Sequence, residues 1–153
     1  MARASLERLL YVSSVSPDAG SRLASALEDI LIASTRHNGR RGVSGLLLCD
    51  GQTFAQLLEG PDEVVEACFQ RIRRDPRHHD LKVRRREAVA ERVFPRWSMC
   101  GLYLSNLDDA LLTPGDIDFD IGEASDGALL QHLRGLGHRY GDVLNAQHAR
   151  LLA

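Results

Sequence analysis

Apolar and polar positions along the first two-thirds of the chain separate strands from helices. The run Leu9-Leu10-Tyr11-Val12 predicts a buried strand over residues 6–14. Ser16-Pro17-Asp18 supplies helix-start chemistry, and Leu23, Leu27, Ile30, Leu31 and Ser34 then recur at helical spacing until Asn38-Gly39. Residues 43–49 predict a second strand, Asp50-Gly51 a hairpin turn, and residues 53–58 the returning strand. Gly60-Pro61-Asp62 breaks that strand and opens a second helix whose apolar face is Val64, Val65, Cys68, Phe69 and Ile72, ending at Asp75-Pro76. Residues 82–89 and 97–104 predict the last two strands. Positions two apart on a strand share a face, which puts Trp97 and Met99 together. The order β-α-β-β-α-β with a fifth strand is that of an α+β, ferredoxin-like fold: an antiparallel-rich sheet with two helices on one face.

After Leu104 the pattern changes. Asn106-Leu107-Asp108-Asp109 and Thr113-Pro114-Gly115-Asp116 read as linker and turns, followed by one amphipathic helix with Leu129, Leu133, Leu136, Tyr140 and Val143 on its apolar face. Gly135 and Gly137 each cost that helix about 1 kcal/mol relative to alanine, so it needs tertiary packing. The sheet face away from the two helices offers that packing. The expected division is residues 1–104 as the main domain and 105–153 as a C-terminal helical cap or output segment.

Composition narrows the function classes. The 153 residues are 44% hydrophobic, enough for one core, and the net charge of -2 gives no electrostatic reason to expect nucleic acid or an anionic membrane as partner. The Arg84-Arg85-Arg86 run reads as a solvated strand edge. Cys49, Cys68 and Cys100 are odd in number and widely spaced, with no C-x-x-C pair, which argues against a disulfide framework or a metal site. The N-terminal residues lack a signal-peptide apolar run, and no stretch reaches the roughly 20 apolar residues of a membrane span. A soluble, cytoplasmic protein is expected.

One residue does not fit a plain core. Gln56 sits among the apolar residues of Thr53-Phe54-Ala55-Gln56-Leu57-Leu58. Burying a carboxamide without partners costs about 1–3 kcal/mol, so the interior must satisfy it. Taken singly, Tyr11 reads as a core tyrosine, Asn38 as a helix C-cap, Trp97 and Met99 as core, and Asp75-Pro76-Arg77 as a helix stop.

Together they read differently. Arg8-Leu9-Leu10-Tyr11-Val12-Ser13, Ser34-Thr35-Arg36-His37-Asn38, Gly42-Val43-Ser44-Gly45-Leu46-Leu47, Phe54-Ala55-Gln56-Leu57-Leu58-Glu59-Gly60, Asp75-Pro76-Arg77-His78 and Phe94-Pro95-Arg96-Trp97-Ser98-Met99 occur in order over residues 6–104. In these stretches the chain resembles the BLUF domains, blue-light sensors that use flavin. The resemblance implies a flavin, FAD with FMN as the alternative, held between the two helices with its ring edge toward the sheet. It implies that Tyr11 gives an electron and a proton to the excited flavin and that Gln56 bridges Tyr11 to the ring. Asn38 would bond the carbonyl and imide edge, Arg77 beside Asp75 the other carbonyl, and His37 and His78 would line the ring. Trp97 and Met99 would lie on the strand that responds to light. Ser44 and Cys100 stand where the family pattern commonly has threonine and glycine.

The resulting expectation is a photoreceptor without catalytic output of its own, because residues 105–153 are too few for a cyclase or phosphodiesterase domain. It would signal through a homo-oligomer interface or to a separate effector protein. Two rivals are a flavin-free binding or oligomerisation module and an acylphosphatase-like hydrolase using Arg36 and Asn38. No Gly-rich anion loop precedes a helix to support the hydrolase.

Overall fold

The computed structural model describes residues 6–103 and 120–152. Five strands, β1 (Leu6–Val15), β2 (Ser44–Cys49), β3 (Thr53–Pro61), β4 (His78–Val89) and β5 (Cys100–Tyr103), form one sheet in the order β4-β1-β3-β2-β5. All neighbouring pairs are antiparallel except β2 with β5. The helices are α1 (Pro17–Ser21), α2 (Leu23–Asn38), α3 (Asp62–Arg73), α4 (Asp126–Arg139) and α5 (Gly141–Leu152). The ferredoxin-like expectation holds, including the two helices α2 and α3 on one face.

The period-2 rule divides the strands between two cores. Leu9, Leu47, Phe54 and Leu58 pack with Leu27, Leu31, Val65 and Phe69 of α2 and α3. Leu10, Val12, Leu46, Leu48 and Leu57 face the other way, onto Leu129, Leu133, Leu136 and Leu144 of α4 and α5. The C-terminal segment therefore covers the second sheet face, as the pattern requires.

Several boundaries differ from expectation. The first helix is split at Arg22, where φ -138° and ψ 44° interrupt it; Ser16 Oγ caps α1 by accepting from the Ala19 N–H at 3.2 Å. β3 continues through Gly60 to Pro61 because β1 is long enough to pair with it, Leu6 lying opposite Pro61. β4 begins at His78 and β5 only at Cys100. Trp97 thus precedes the strand, and a bend at Ser98-Met99 turns the chain between them. The expected shared face of Trp97 and Met99 is not realised. Met99 packs on the α2/α3 side, and Trp97 packs on the α4/α5 side. The last helix is two, α4 and α5, parted at Tyr140, and Val143 is exposed rather than on the apolar face. The linker and turns expected over residues 106–116 lie outside the described residues.

Candidate functional site

The site starts from register. Tyr11 on β1 lies directly opposite Gln56 on β3, and Gln56 lies opposite Leu47 on β2. These three side chains form a row across the sheet toward α2 and α3. Both polar members are buried, each 3% exposed. Tyr11 Oη donates to Gln56 Oε1 at 2.5 Å, and Gln56 Nε2 donates to Met99 Sδ at 3.3 Å. A thioether sulfur only accepts, so the amide is oriented with its NH₂ toward Met99 and its oxygen toward the phenol. Burial first, and then the neighbouring Cys68 and Asp75, push the Tyr11 phenol far above its ordinary value, so it stays protonated.

Asn38 arrives from the last turn of α2. Its Nδ2 donates to the Ser98 carbonyl at 3.0 Å, and its Oδ1 accepts from Cys68 Sγ at 3.6 Å. It is 2% exposed and ties α3 to the Ser98-Met99 bend, which is more than a C-cap does. His78 is held between Ser13 Oγ (2.7 Å) and the Ile72 carbonyl (2.6 Å). The carbonyl can only accept, so the imidazole donates from Nε2. Its ring stands edge-on to Tyr11 with centroids 6.1 Å apart.

A cleft of about 220 Å³ opens between α2, α3 and this row. All seven residues expected to contact a cofactor line it: Tyr11, His37, Asn38, Gln56, Asp75, Arg77 and His78. Ile30, Leu47, Phe54 and Ile72 supply apolar walls. Asp75 and Arg77 form a paired fork at the mouth, with Arg77 Nε bonded to both carboxylate oxygens at 2.9 and 3.0 Å. Burial pushes the Asp75 carboxyl up, but its bonds from Arg77 outweigh this and hold it below the ordinary range. Arg71, Arg74 and Arg22 stand around the same mouth. Beside Arg71, the exposed His37 imidazole is lowered and stays neutral near pH 7.

The donor set fits a flat heteroaromatic ring. The amides of Gln56 and Asn38 each use one N–H and one oxygen lone pair on protein partners, leaving one of each beside the cleft. Two buried amides with spare donors and acceptors suit the alternating polar edge of an isoalloxazine, and the apolar walls suit its faces. The cleft is smaller than the roughly 300–1,000 Å³ that encloses a whole drug-sized ligand. A cleft of this size and lining has room for a ring system.

Two further sets of contacts join this site to the rest of the molecule. Glu59 on β3 is fully buried. Its Oε2 accepts from Arg8 Nε at 2.9 Å, and its Oε1 accepts from the Val93 and Phe94 N–H groups at 2.7 and 3.3 Å. Arg92 donates to Ser44 Oγ, the Glu59 carbonyl and the Gly42 carbonyl. Together they anchor the connection from β4 to β5. Beyond it, α5 holds the Met99 region from the far side. Trp97 Nε1 donates to Asn145 Oδ1 at 2.9 Å, and the Ser98 N–H donates to His148 Nε2 at 3.2 Å. Gln147 pairs with both backbone groups of Gly101, at 2.8 and 2.9 Å.

The comparisons with known proteins now have a geometry to meet. The family model described as sensors of blue light using FAD (BLUF) matches residues 6–100. The chain belongs to the BLUF family. It is a flavin-binding blue-light photoreceptor module. The BLUF structure titled "BlsA photo-activated state" superposes with a TM-score of 0.72 at 30% identity, covering 86% of this chain and 94% of that one. Photoactivated adenylate cyclase subunit beta of Euglena gracilis is 38% identical over 74 residues, which are 48% of this chain and 9% of that protein. The blue light- and temperature-regulated antirepressor BluF of Escherichia coli (strain K12) is 36% identical over 76 residues, 50% of this chain and 18% of that protein. The chain thus spans less than a fifth of the length of these curated relatives.

The residues to which the sequence assigned no part in the site are Arg71, Cys68, Glu59 with Arg8 and Arg92, and the Asn145-Gln147-His148 group. Helical spacing carries a signal for some of them: Ile30, Ser34, His37 and Asn38 form one stripe, and Cys68, Arg71, Ile72 and Asp75 another. Nothing in the sequence marks the α5 group, whose partners are backbone atoms and a distant indole.

Proposed function

We propose that Tyr11, Gln56 and Met99 form a light-driven hydrogen-bond switch, with the flavin ring held in the cleft by Gln56, Asn38 and Arg77 and lined by His37 and His78. The observation that carries this is the continuous buried chain from Tyr11 Oη through Gln56 to Met99 Sδ. A photoexcited flavin in the cleft would supply the oxidant for the phenol. Tyr11 would give one electron to the excited ring and its proton toward Gln56 Oε1, and both return to the phenoxyl, so no net reaction is needed. While that contact is broken, the Gln56 amide is free to turn over or change tautomer. A turned amide aims its oxygen at a sulfur that cannot donate, and Met99 loses its bond. The bend Trp97-Ser98-Met99 then repacks against Asn145, Gln147 and His148, biasing the position of α5.

In this reading the chain has no catalytic output of its own. It acts in the cytoplasm, binds FAD with FMN as the alternative, uses neither nucleic acid nor membrane, and signals through a homo-oligomer or a separate effector. FAD and FMN offer the cleft the same ring. The purified protein is expected to be yellow and to show a reversible red-shift under blue light. Tyr11→Phe and Gln56→Leu should keep the flavin and lose the shift. A colourless protein, or a shift that survives in Gln56→Leu, refutes the assignment. With Met99→Ala, light-induced changes in backbone exchange over residues 120–152 should disappear.

A further inference from the structure

A second recess lies on the other side of the molecule, between the β4–β5 connection and α4. Its floor is the stacked pair Phe94 and Trp97, with ring centroids 5.4 Å apart and planes at 26°. α4 is pressed against this floor at Gly137, where an added Cβ would come within 2.4 Å of Phe94 Cε1. The floor is therefore built, and the recess beside it holds about 250 Å³, room for one bulky apolar side chain.

The rim is cationic. Arg96, Arg134 and His138 line it, all exposed, and no carboxylate among the described residues does. Arg96 and Arg134 have no ion-pair partner among the described residues. By contrast Arg77, Arg84 and Arg86 all pair with carboxylates. An aromatic floor flanked by arginines has the composition of an interface centre, where aromatic and arginine side chains are enriched.

We propose that this groove is a docking port for an acidic segment of a partner protein, one carrying a bulky apolar side chain flanked by carboxylates. The apolar side chain fills the recess against Phe94 and Trp97, and the carboxylates meet Arg96 and Arg134. Trp97 makes the port responsive. Its carbonyl accepts from the Gly45 N–H at 3.0 Å, and its indole is bonded to Asn145 on α5. Two residues on, Met99 is bonded to Gln56. A repacked bend alters the floor of the groove, so partner affinity differs between darkness and light. The proposal rests on the reading of the chain as a sensor that hands its signal to a partner. Its first test is made in darkness, so a failed port and a failed photocycle give different results.

Trp97 is the only tryptophan in the chain, so its fluorescence reports on the groove. The flavin-loaded protein is titrated in darkness with the synthetic peptide Asp-Glu-Leu-Phe-Asp-Glu. A saturable fluorescence change that weakens with added salt is expected. The double variant Arg96→Glu with Arg134→Glu should keep its flavin spectrum and lose affinity by about tenfold or more. It should instead take the peptide Lys-Arg-Leu-Phe-Lys-Arg. No saturable change, or an affinity unmoved by charge reversal, overturns the proposal. If sedimentation shows a dimer that the double variant dissociates, the groove is an interface between copies of this chain, and the proposal of an acidic partner is overturned as well.

Discussion

Replacing Glu59 tests how the site is tied to the connection that carries Trp97 and Met99. The carboxylate is fully buried and makes three bonds: one from the Arg8 guanidinium at 2.9 Å and two from the Val93 and Phe94 N–H groups. Glu59→Gln keeps an oxygen for the two amides but turns an NH₂ toward Arg8, whose side chain is only 12% exposed. Breaking a buried pair typically costs about 3–5 kcal/mol; Arg8 retains Glu87 at 3.6 Å and the Glu91 carbonyl, so the expected loss is about 2–3 kcal/mol. Glu59→Ala also orphans the two N–H groups at about 1–2 kcal/mol each, for a total of about 4–7 kcal/mol. Urea unfolding followed by far-UV circular dichroism, with the slope unchanged, measures both. The glutamine variant should also melt about 5–10 °C lower. Hydrogen exchange at Val93 and Phe94 should accelerate in the alanine variant and much less in the glutamine variant. A glutamine variant that loses under about 1 kcal/mol, or an alanine variant no worse than it, would show that Glu59 does not anchor this connection.

Three further outcomes follow from the same geometry. Asp75 is held below the ordinary carboxylate value of 3.8 in the folded protein, so its contribution to stability is fully present above that value and is lost as pH falls through the lower folded one; Asp75→Asn should remove this acid dependence from unfolding curves measured between about pH 2 and 5. Burial lowers the pKa of His148, whose Nε2 must stay unprotonated to accept from Ser98; light-induced exchange changes in α5 should therefore fade as pH drops well below the ordinary histidine value of 6.5, and His148→Phe should weaken them without that pH dependence. Gly45→Ala would bring a Cβ within 1.9 Å of the Leu57 carbonyl oxygen and 3.1 Å of Met99 Cε, so it should cost more than about 3 kcal/mol or prevent folding, whereas Gly135→Ala, with nothing within 4 Å, should stabilise by up to about 1 kcal/mol in thermal melts.

The two cores and the cleft differ in how far they could be read in advance. Leu9 and Leu10 alternate between faces by strand geometry alone, and that alternation required a cover on each side of the sheet. The row Leu47–Gln56–Tyr11 follows from hairpin register once the β3 pairings are known. The Trp97–Met99 segment shows where period-2 reasoning stops. Both residues are apolar and two apart, which matches a strand, but the bend at Ser98 is secured by Asn38, His148 and Gly45, all distant in sequence. No local signal announces such anchors, because what they bind is backbone.

By itself the sequence showed the family through a resemblance of motifs, and it determined the α+β pattern, the β-α-β-β-α-β order with a fifth strand, and Gln56 as a polar group that the interior must satisfy. The pattern, the order and the demand of Gln56 follow from periodicity and from the cost of burying an amide, which are local and additive. Only the tertiary structure decided that Met99 packs on the α2/α3 side while Trp97 faces α4 and α5, that the Gln56 amide points its nitrogen at sulfur, and that Glu59 and the Asn145-Gln147-His148 group clamp the connection between them. These depend on contacts between residues more than 30 positions apart. Their geometry is set by how two cores close on opposite faces of one sheet.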